Sequence, residues 1–377
     1  MPNLLGVHLQ ILLGDVPAPA PLKVAEALES VEVTLKDKEQ SGFQLVFQIG
    51  RSAIDFKDYS LMKEARLKPF TRVILNVLFG IRPLPIMDGV ITNQQLAPGE
   101  DPGTSKLTLQ GKDISVMIDR EQKAEAYPNL SEPQIVTLIL GRDLARYGVV
   151  PRVESVGNVR VLTADRQTPT QDKKTTHLGY IKKLAERFGF VFFVETGDAP
   201  GTNVAYWGPP PRRGPAQGAL SVNMGPNTNI ESISFKYDEE APTRVRYDAA
   251  ANTQEVVSEY TRTPRLAARV PSTDKLVFLD IPDGLTDREA RRARAQAKVN
   301  ESFDGTVTAS GTLDALRYGR ILRPRMLLDV RGAGEHFSGT YYVSEVKHKI
   351  DIRKGEYKQD FKINREGVGL TSPVVNT

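Results

Sequence analysis

One stretch of this chain is written twice. Leu28-Glu-Ser-Val-Glu-Val-Thr-Leu35 returns as Ile230-Glu-Ser-Ile-Ser-Phe-Lys-Tyr237, and Val73-Ile-Leu-Asn-Val77 returns as Met326-Leu-Leu-Asp-Val330. These segments alternate apolar and polar residues or run apolar between turn signals, as β-strands do. Each copy then continues into two more alternating segments, which end at Leu107-Thr-Leu109 and at Phe361-Lys-Ile363. The steps are alike. Val77 to Val90 to Leu107 takes 13 and 17 residues, and Val330 to Val346 to Phe361 takes 16 and 15. Each step holds one strand and one turn. Two unrelated antiparallel domains would share some of this alternation, but a duplicated β unit suits a ring-building scaffold better than an enzyme.

The copies differ at one place. Glu29 and Val73 are 44 residues apart, whereas Glu231 and Met326 are 95 apart. The second copy therefore carries an insertion of roughly 50 residues.

A chain of 377 residues can hold two or three domains with cores of their own. Hydrophobic residues make up 40% and charged residues 25%, which is ordinary for a water-soluble fold. No apolar run approaches 18 residues, so no membrane span is expected. Met-Pro-Asn-Leu-Leu at the start lacks the basic segment and long apolar stretch of a secretion signal. There is no cysteine, which excludes disulfides, thiolate metal sites and cysteine nucleophiles. The net charge of +4 comes from interspersed charges of both signs, so nucleic-acid binding is not expected.

Residues 1–113 read as a first β domain, with Phe43-Gln-Leu-Val-Phe-Gln-Ile49 its clearest strand. From Ile114 the period changes. Ile114, Met117, Ile118 and Tyr127 suit a short helix that Pro128 stops. Ser131 caps a second helix, with Pro133 in its first turn and Gly148 beyond its end. Thr176 caps a third, whose apolar face (Leu178, Ile181, Leu184, Ala185, Phe188) leads through Gly189 into the strand Phe190–Val194. Residues 114–203 thus read as a small α/β domain. Residues 204–377 read as a linker and a second β domain with a helical insertion at about 250–320. The linker holds Gly208-Pro-Pro-Pro-Arg-Arg-Gly-Pro215, which reads as a solvated surface loop. In the insertion, Thr286-Asp-Arg-Glu289 reads as a capping box opening a helix to about Val299. That helix carries Arg288, Arg291, Arg292, Arg294 and Lys298 and has mainly alanines as its apolar residues. It reads as a surface helix, either solvated or docking on an acidic face of a neighbouring subunit.

Catalytic signatures are missing. The four histidines, His8, His177, His336 and His348, form no HExxH or i,i+4 pair. There is no GxSxG elbow and no phosphate-binding glycine loop. Asp238-Glu-Glu240 falls in a turn, and the lone Trp207 reads as a packing residue. His348 lies in an alternating strand and reads as packed rather than ligating. No catalytic residue, cofactor or metal site is assigned.

Four segments carry a resemblance. Lys106-Leu-Thr-Leu-Gln-Gly-Lys-Asp-Ile-Ser-Val-Met-Ile-Asp-Arg120 looks like the strand-to-helix passage that ends the first barrel of phage late control D proteins. His177–Val194, with its Leu-Ala-x-x-x-Gly-Phe core, is similar to that family's helix-strand unit. Arg323-Pro-Arg-Met-Leu-Leu-Asp-Val330 followed by Gly339–His348 resembles the end of its second barrel, and Tyr357–Arg365 resembles its final strand. Together they cover about Leu28 to Arg365, so the chain resembles the late control D and VgrG-like hubs of contractile injection machines.

The resemblance implies a mainly β, α+β chain with two tube-like antiparallel barrels from an internal duplication and a small α/β domain between them. It implies a structural homotrimer at the baseplate of a phage tail, tailocin or related particle, assembled in the bacterial cytoplasm. Two barrels per chain would make a pseudo-six-fold ring that adapts a six-fold inner tube to a three-fold spike. The implied partners are further copies of the chain, the inner tube or tube-initiator protein, a spike and baseplate wedge proteins. Only about a dozen residues follow Arg365, where VgrG proteins continue into their spike, so the spike is expected on a separate chain. The expected interface residues are Val343 and Val346 in the second barrel and Arg288, Arg291, Arg292 and Arg294 on the inserted helix. The alternatives are a hexameric distal tail or tube-initiator protein of the same machine, and a β-rich cell-wall hydrolase.

Overall fold

The structure, a computed structural model, describes residues 7–50, 59, 61–79, 82–101, 103–155, 170–212, 214–250, 252–281 and 287–371. In the first repeat the alternating segments become β1 (Val7–Leu13), β2 (Leu28–Lys36), β3 (Gly42–Ile49), β4 (Arg72–Phe79), β5 (Arg82–Ala97) and β6 (Ser105–Asp113). They lie side by side in the order β2-β3-β6-β5-β4-β1. The alternation decides the facing: Phe43, Leu45, Phe47 and Ile49 of β3 are all buried, while the residues between them are not.

The middle of the chain supplies α1 (Glu132–Leu144), β7 (Val149–Val153), α2 (His177–Phe188), β8 (Val191–Thr196) and β9 (Asn203–Gly208). Ser131 and Gln134 form a reciprocal capping box at the start of α1. At the start of α2, the Thr176 side chain accepts from the Gly179 N–H at 3.1 Å. Gly189 ends α2 at φ +64°, and a Cβ there would stand 2.1 Å from the Ala297 side chain, so glycine is needed for both backbone and packing. The strands form a small sheet in the order β8-β9-β7, with β9 and β7 parallel. The short helix expected from Ile114 is a single 3-10 turn, Ile114–Ile118. Past Ile118 the run Asp119-Arg-Glu-Gln-Lys-Ala-Glu125 offers no apolar face to continue it.

The second repeat consists of β10 (Ala219–Ser221), β11 (Ser232–Tyr237), β15 (Val307–Asp314), β16 (Leu327–Arg331), β17 (Gly339–Asp351) and β18 (Glu356–Arg365). Between β11 and β15 lie β12 (Arg244–Ala250), β13 (Thr253–Val257), β14 (Leu276–Leu279) and α3 (Arg288–Asp304). The second repeat runs β11-β15-β18-β17-β16-β10, the first repeat's order, except that β10 is parallel to β16 where β1 is antiparallel to β4. Even the irregularities agree, because the β5–β6 ladder shifts between Ile91 and Asn93 and the β17–β18 ladder between Val343 and Glu345. Thr92 and Ser344 are thus the same bulged position. Counting outward from it makes Leu28–Leu35 equivalent to Ile230–Tyr237, as the sequence pairing had them. The other pairing moves by two residues: Val73 corresponds to Leu328, not Met326. An even shift leaves the facing unchanged, which is why alternation alone did not detect it.

The two expected barrels are corrected by the strand pairing. Among the described residues neither repeat closes on itself, and both belong to one thirteen-stranded sheet. The reason is the length of β17. Its first half pairs with β16 over Gly339–Tyr342, and its second half pairs with β2 of the first repeat over Glu345–Asp351. The edge of β2 is therefore joined to the other repeat.

Each repeat has its own apolar core. A third core unites the middle of the chain with the inserted segment, where Leu178, Ile181 and Trp207 pack in one cluster with Tyr247, Ala295, Val299 and Phe303. The inserted helix runs past the expected Val299 to Asp304 and is capped by Asp287, which accepts from the Ala290 N–H at 2.9 Å. Thr286, the expected cap, lies outside the described residues.

Candidate assembly surface

Because successive strands are paired in register, residues from both repeats form rows across the joined sheet. Gln110, Gln44, Glu32, Lys349 and Lys358 make one such row on the polar face. The Gln110 amide donates to the Gln44 carbonyl oxygen at 3.2 Å within it. Five lysines on this face are matched by carboxylates: Lys106–Glu29 at 3.0 Å, Lys347–Glu32 at 2.6 Å, Lys349–Asp360 at 2.5 Å, Lys358–Glu231 at 3.1 Å and Lys362–Glu345 at 3.2 Å. Two of these pairs are the same pair repeated, since Lys106 and Glu29 occupy the positions of Lys358 and Glu231. Exposed pairs of this kind add only about 0–1 kcal/mol each. Their effect is to make the face hydrophilic with its charges locally cancelled.

The opposite side of the joined sheet holds His348. It is fully buried, and its Nδ1 is hydrogen-bonded with the Tyr357 hydroxyl at 2.9 Å. Burial, helped by the nearby Arg323 charge, pushes its pKa down to about 3, so the imidazole is neutral. Val343 and Val346, the expected interface residues, are fully buried in the second repeat's own core, and Val346 pairs with Leu35 where the two repeats meet. Neither is on the surface of a single chain.

The arginines of the inserted helix mostly contact their own chain. Arg288 Nε donates to Glu255 at 2.9 Å, Arg291 to the Asp248 carbonyl at 2.8 Å and Arg294 to the Glu186 carbonyl at 3.4 Å. Arg292 is exposed near Glu255.

Sequence reading missed three buried arginines that hold the layers together. Arg72 makes a bidentate pair with Asp88 (2.9 and 2.6 Å) and donates to the carbonyls of Tyr147 and Gly201, while Asn203 donates to the same carboxylate at 2.7 Å. This ties the first repeat to the middle layer. Arg325, at φ +67°, lies 3.6 Å over the Phe193 ring, pairs with Glu195 at 3.2 Å and donates to the Lys36 carbonyl. It therefore joins the second repeat, the first repeat and the middle layer, and its burial lowers the guanidinium pKa. Arg212, expected in a solvated loop, is buried instead. It bridges Asp304 and Glu366 beside the Tyr260 hydroxyl, and these two buried carboxylates hold it inward despite the proline run. Its neighbour Arg213 lies outside the described residues. A usable signal was present only for Arg72, a lone charge opening an apolar strand with Asp88 in the next one.

His177 lies against Asp143 through Nδ1 (2.7 Å) and against Glu125 and Arg142 through Nε2 (3.5 and 3.3 Å), so both ring nitrogens are occupied. Among the described residues no group of three His, Asp or Glu side chains is placed to hold a metal, and no helix is long and apolar enough to cross a membrane.

Two repeats of one strand order sharing a sheet, with a helical layer set against it, define a fold also found in known proteins. No protein-family model and no curated protein sequence matches the chain. Solved structures do. A tail protein from Neisseria meningitidis MC58 is similar over 97% of this chain and 98% of its own, with a TM-score of 0.63 at 14% identity. The 43 kDa tail protein of prophage MuSo2 from Shewanella oneidensis is similar over 95% and 99%, with a TM-score of 0.64 at 12% identity. The E. coli c3393 protein, a type VI secretion component described as similar to the T4 tail proteins gp27 and gp5, is similar over 89% of this chain and 73% of its own, with a TM-score of 0.54 at 13% identity. The fold is that of phage tail proteins and of this type VI component, which is the fold the sequence resemblance implied.

Proposed function

We propose that the chain is a structural component of the tail or baseplate of a phage-type or type VI-like injection machine, and that it forms the hub. Three copies would place six repeats in a ring, matching a six-fold tube on one side and a three-fold spike on the other. The observation that carries this reading is the joined sheet. Two repeats of the same strand order sit edge to edge in one chain, as two neighbours in a ring would. The polar, charge-compensated face suits the wall of a conduit, and the helical layer, present once per chain, supplies the three-fold character. The role needs geometry and no turnover, in keeping with the tail-protein fold, with the buried His348 and with His177, whose two ring nitrogens are both engaged. Further copies, a tube or tube-initiator protein, a spike and wedge proteins are the partners this reading names. The test is the mass of the assembled species by light scattering, together with the count of chains per ring in images of the particle. Three chains support the hub, and a ring of six chains would assign the protein to the tube-initiator class.

A further inference from the structure

The chain contains one finished junction between repeats and the two halves of an unfinished one. The finished junction pairs the second half of β17 with β2, from Glu345 opposite Lys36 to Asp351 opposite Ser30. The first-repeat equivalent of β17 is β5, fixed by the shared bulge at Thr92 and Ser344. Its second half, Asn93–Ala97, pairs with β6 on one side, and among the described residues no strand pairs with the other. The second-repeat equivalent of β2 is β11, which pairs with β15 on one side and, among the described residues, with no strand on the other.

Burial marks the same two edges. Val31 and Val33 of β2 are 2% and 0% exposed, whereas their counterparts Ile233 and Phe235 of β11 are only half-buried. Val346 and His348 are fully buried, whereas their counterparts Gln94 and Leu96 are half-buried. Each edge exposes core-facing side chains at the positions that the finished junction covers. A paired partner would cover them and satisfy the backbone groups along both edges.

We infer that the second half of β5 in one copy pairs antiparallel with β11 of the next, in the register of the finished junction. The inference rests on the ring reading above. Transferring the register places Asn93 opposite Asp238 of the next copy, Gln95 opposite Lys236, Leu96 opposite Phe235 and Ala97 opposite Ser234. The occupant is a second copy rather than an unrelated strand, because the chain already joins these two edge types to each other. The contact is head-to-tail, so it repeats from copy to copy and, in the hub reading, closes as a ring. The chemistry differs from the finished junction in one respect. Where Lys347 pairs with Glu32 inside the chain, Gln95 and Ser234 take their places. The junction between copies is therefore held by backbone hydrogen bonds and the Leu96–Phe235 contact, and it is insensitive to salt.

The absence of cysteine makes the register directly readable. Asp37 N–H donates to the Ser344 carbonyl at 3.0 Å, so by alternation Thr34 and Lys347 form a non-hydrogen-bonded pair. Such pairs have Cα atoms about 4.5 Å apart, within disulfide reach. Thr34→Cys with Lys347→Cys calibrates the method by forming a link within one chain. Gln95→Cys with Lys236→Cys, in the assembled full-length protein, is expected to give covalent oligomers on a non-reducing gel. Gln95→Cys with Ser232→Cys, displaced by about 13 Å along the strand, is expected to give none. Leu96→Asp is expected to leave a folded monomer that still melts cooperatively and to abolish the oligomer. A ring that assembles without the 95–236 link, or that links 95–232 equally well, overturns this junction and leaves the hub reading standing. A chain that stays monomeric even with tube and spike partners overturns both.

Discussion

The two repeats share a strand order; they differ in the direction of the outermost strand, β1 being antiparallel to β4 but β10 parallel to β16, and most of all in one turn. In the first, five residues (37–41) join β2 to β3. In the second, residues 238–306 join β11 to β15 and contain three strands and a helix. The ladder between β11 and β15 is nonetheless regular over its whole length, from Ser232–Thr312 to Tyr237–Val307. A hairpin tolerates so large an insertion because its two strands are positioned by the rest of the sheet, not by the turn. The insertion in turn folds only with help, since its core residues Tyr247, Val299 and Phe303 share a cluster with the middle of the chain. The repeats thus teach that the sheet is the conserved unit and that the helical layer is what makes one repeat differ from the other.

Equivalent positions offer the sharpest way to break that comparison. Val346 and Gln94 are the same position, enclosed in one repeat and at an edge in the other. Val346→Asp places an unpaired charge in a core and should destabilise by several kcal/mol, enough to remove the cooperative melting transition. Gln94→Asp should lower stability by only about 1 kcal/mol, the worth of its hydrogen bond to the Leu67 carbonyl. Next in size is Arg72→Met, which leaves the buried Asp88 carboxylate with the Asn203 amide, at 2.7 Å, as its one remaining side-chain donor among the described residues. A loss of about 3–5 kcal/mol by denaturant unfolding is expected. Arg72→Met/Asp88→Leu should recover part of it.

How much of this was readable follows from the kind of signal each feature leaves. The repeat from Leu28 to Leu35 and the caps at Ser131 and Thr176 are local patterns, and they fold as patterned because period and cap chemistry act over a few residues. The two-residue offset at Val73 escaped because alternation has period two. The fusion of the repeats escaped because it depends on which strand occupies the free edge of β2, a long-range matter that no local pattern encodes. Arg212 was misread for the same reason: three prolines favour an exposed loop, but Asp304 and Glu366 draw the arginine inward from positions 92 and 154 residues away. Val343 and Val346 were read as interface residues because apolar alternation does not separate a strand edge from a core, and the structure buries both in the second repeat's own core.

A smaller effect separates His348 from its counterpart Leu96. His348 is neutral in the folded chain, with a pKa of about 3 against an ordinary value of 6.5. Between those values the unfolded chain binds one more proton than the folded one, so stability falls as pH falls through that window. From pH 7 to pH 5 the loss from this group is about 2 kcal/mol. His348→Gln keeps a hydrogen-bonding group for the Tyr357 hydroxyl and has no titrating ring. Its melting temperature should therefore drop less than that of the wild type between pH 7 and pH 5. Parallel acid limbs for the two proteins would show that the imidazole is not held neutral.

The smallest expected effect tests whether the repeats are alike on the polar face. Lys106–Glu29 and Lys358–Glu231 are equivalent pairs with nearly the same separation, 3.0 and 3.1 Å. Lys106→Ala and Lys358→Ala should each lower stability by less than about 1 kcal/mol, by similar amounts, and less at high salt. The ring reading adds one distinction. Glu29 extends from β2, which is enclosed, and Glu231 immediately precedes β11, which is an open edge in a single chain. Ring assembly would desolvate the second pair toward the environment of the first. The Lys358→Ala effect should then grow with oligomer formation while the Lys106→Ala effect does not, measured as the melting temperature of each variant below and above the concentration at which the chain assembles.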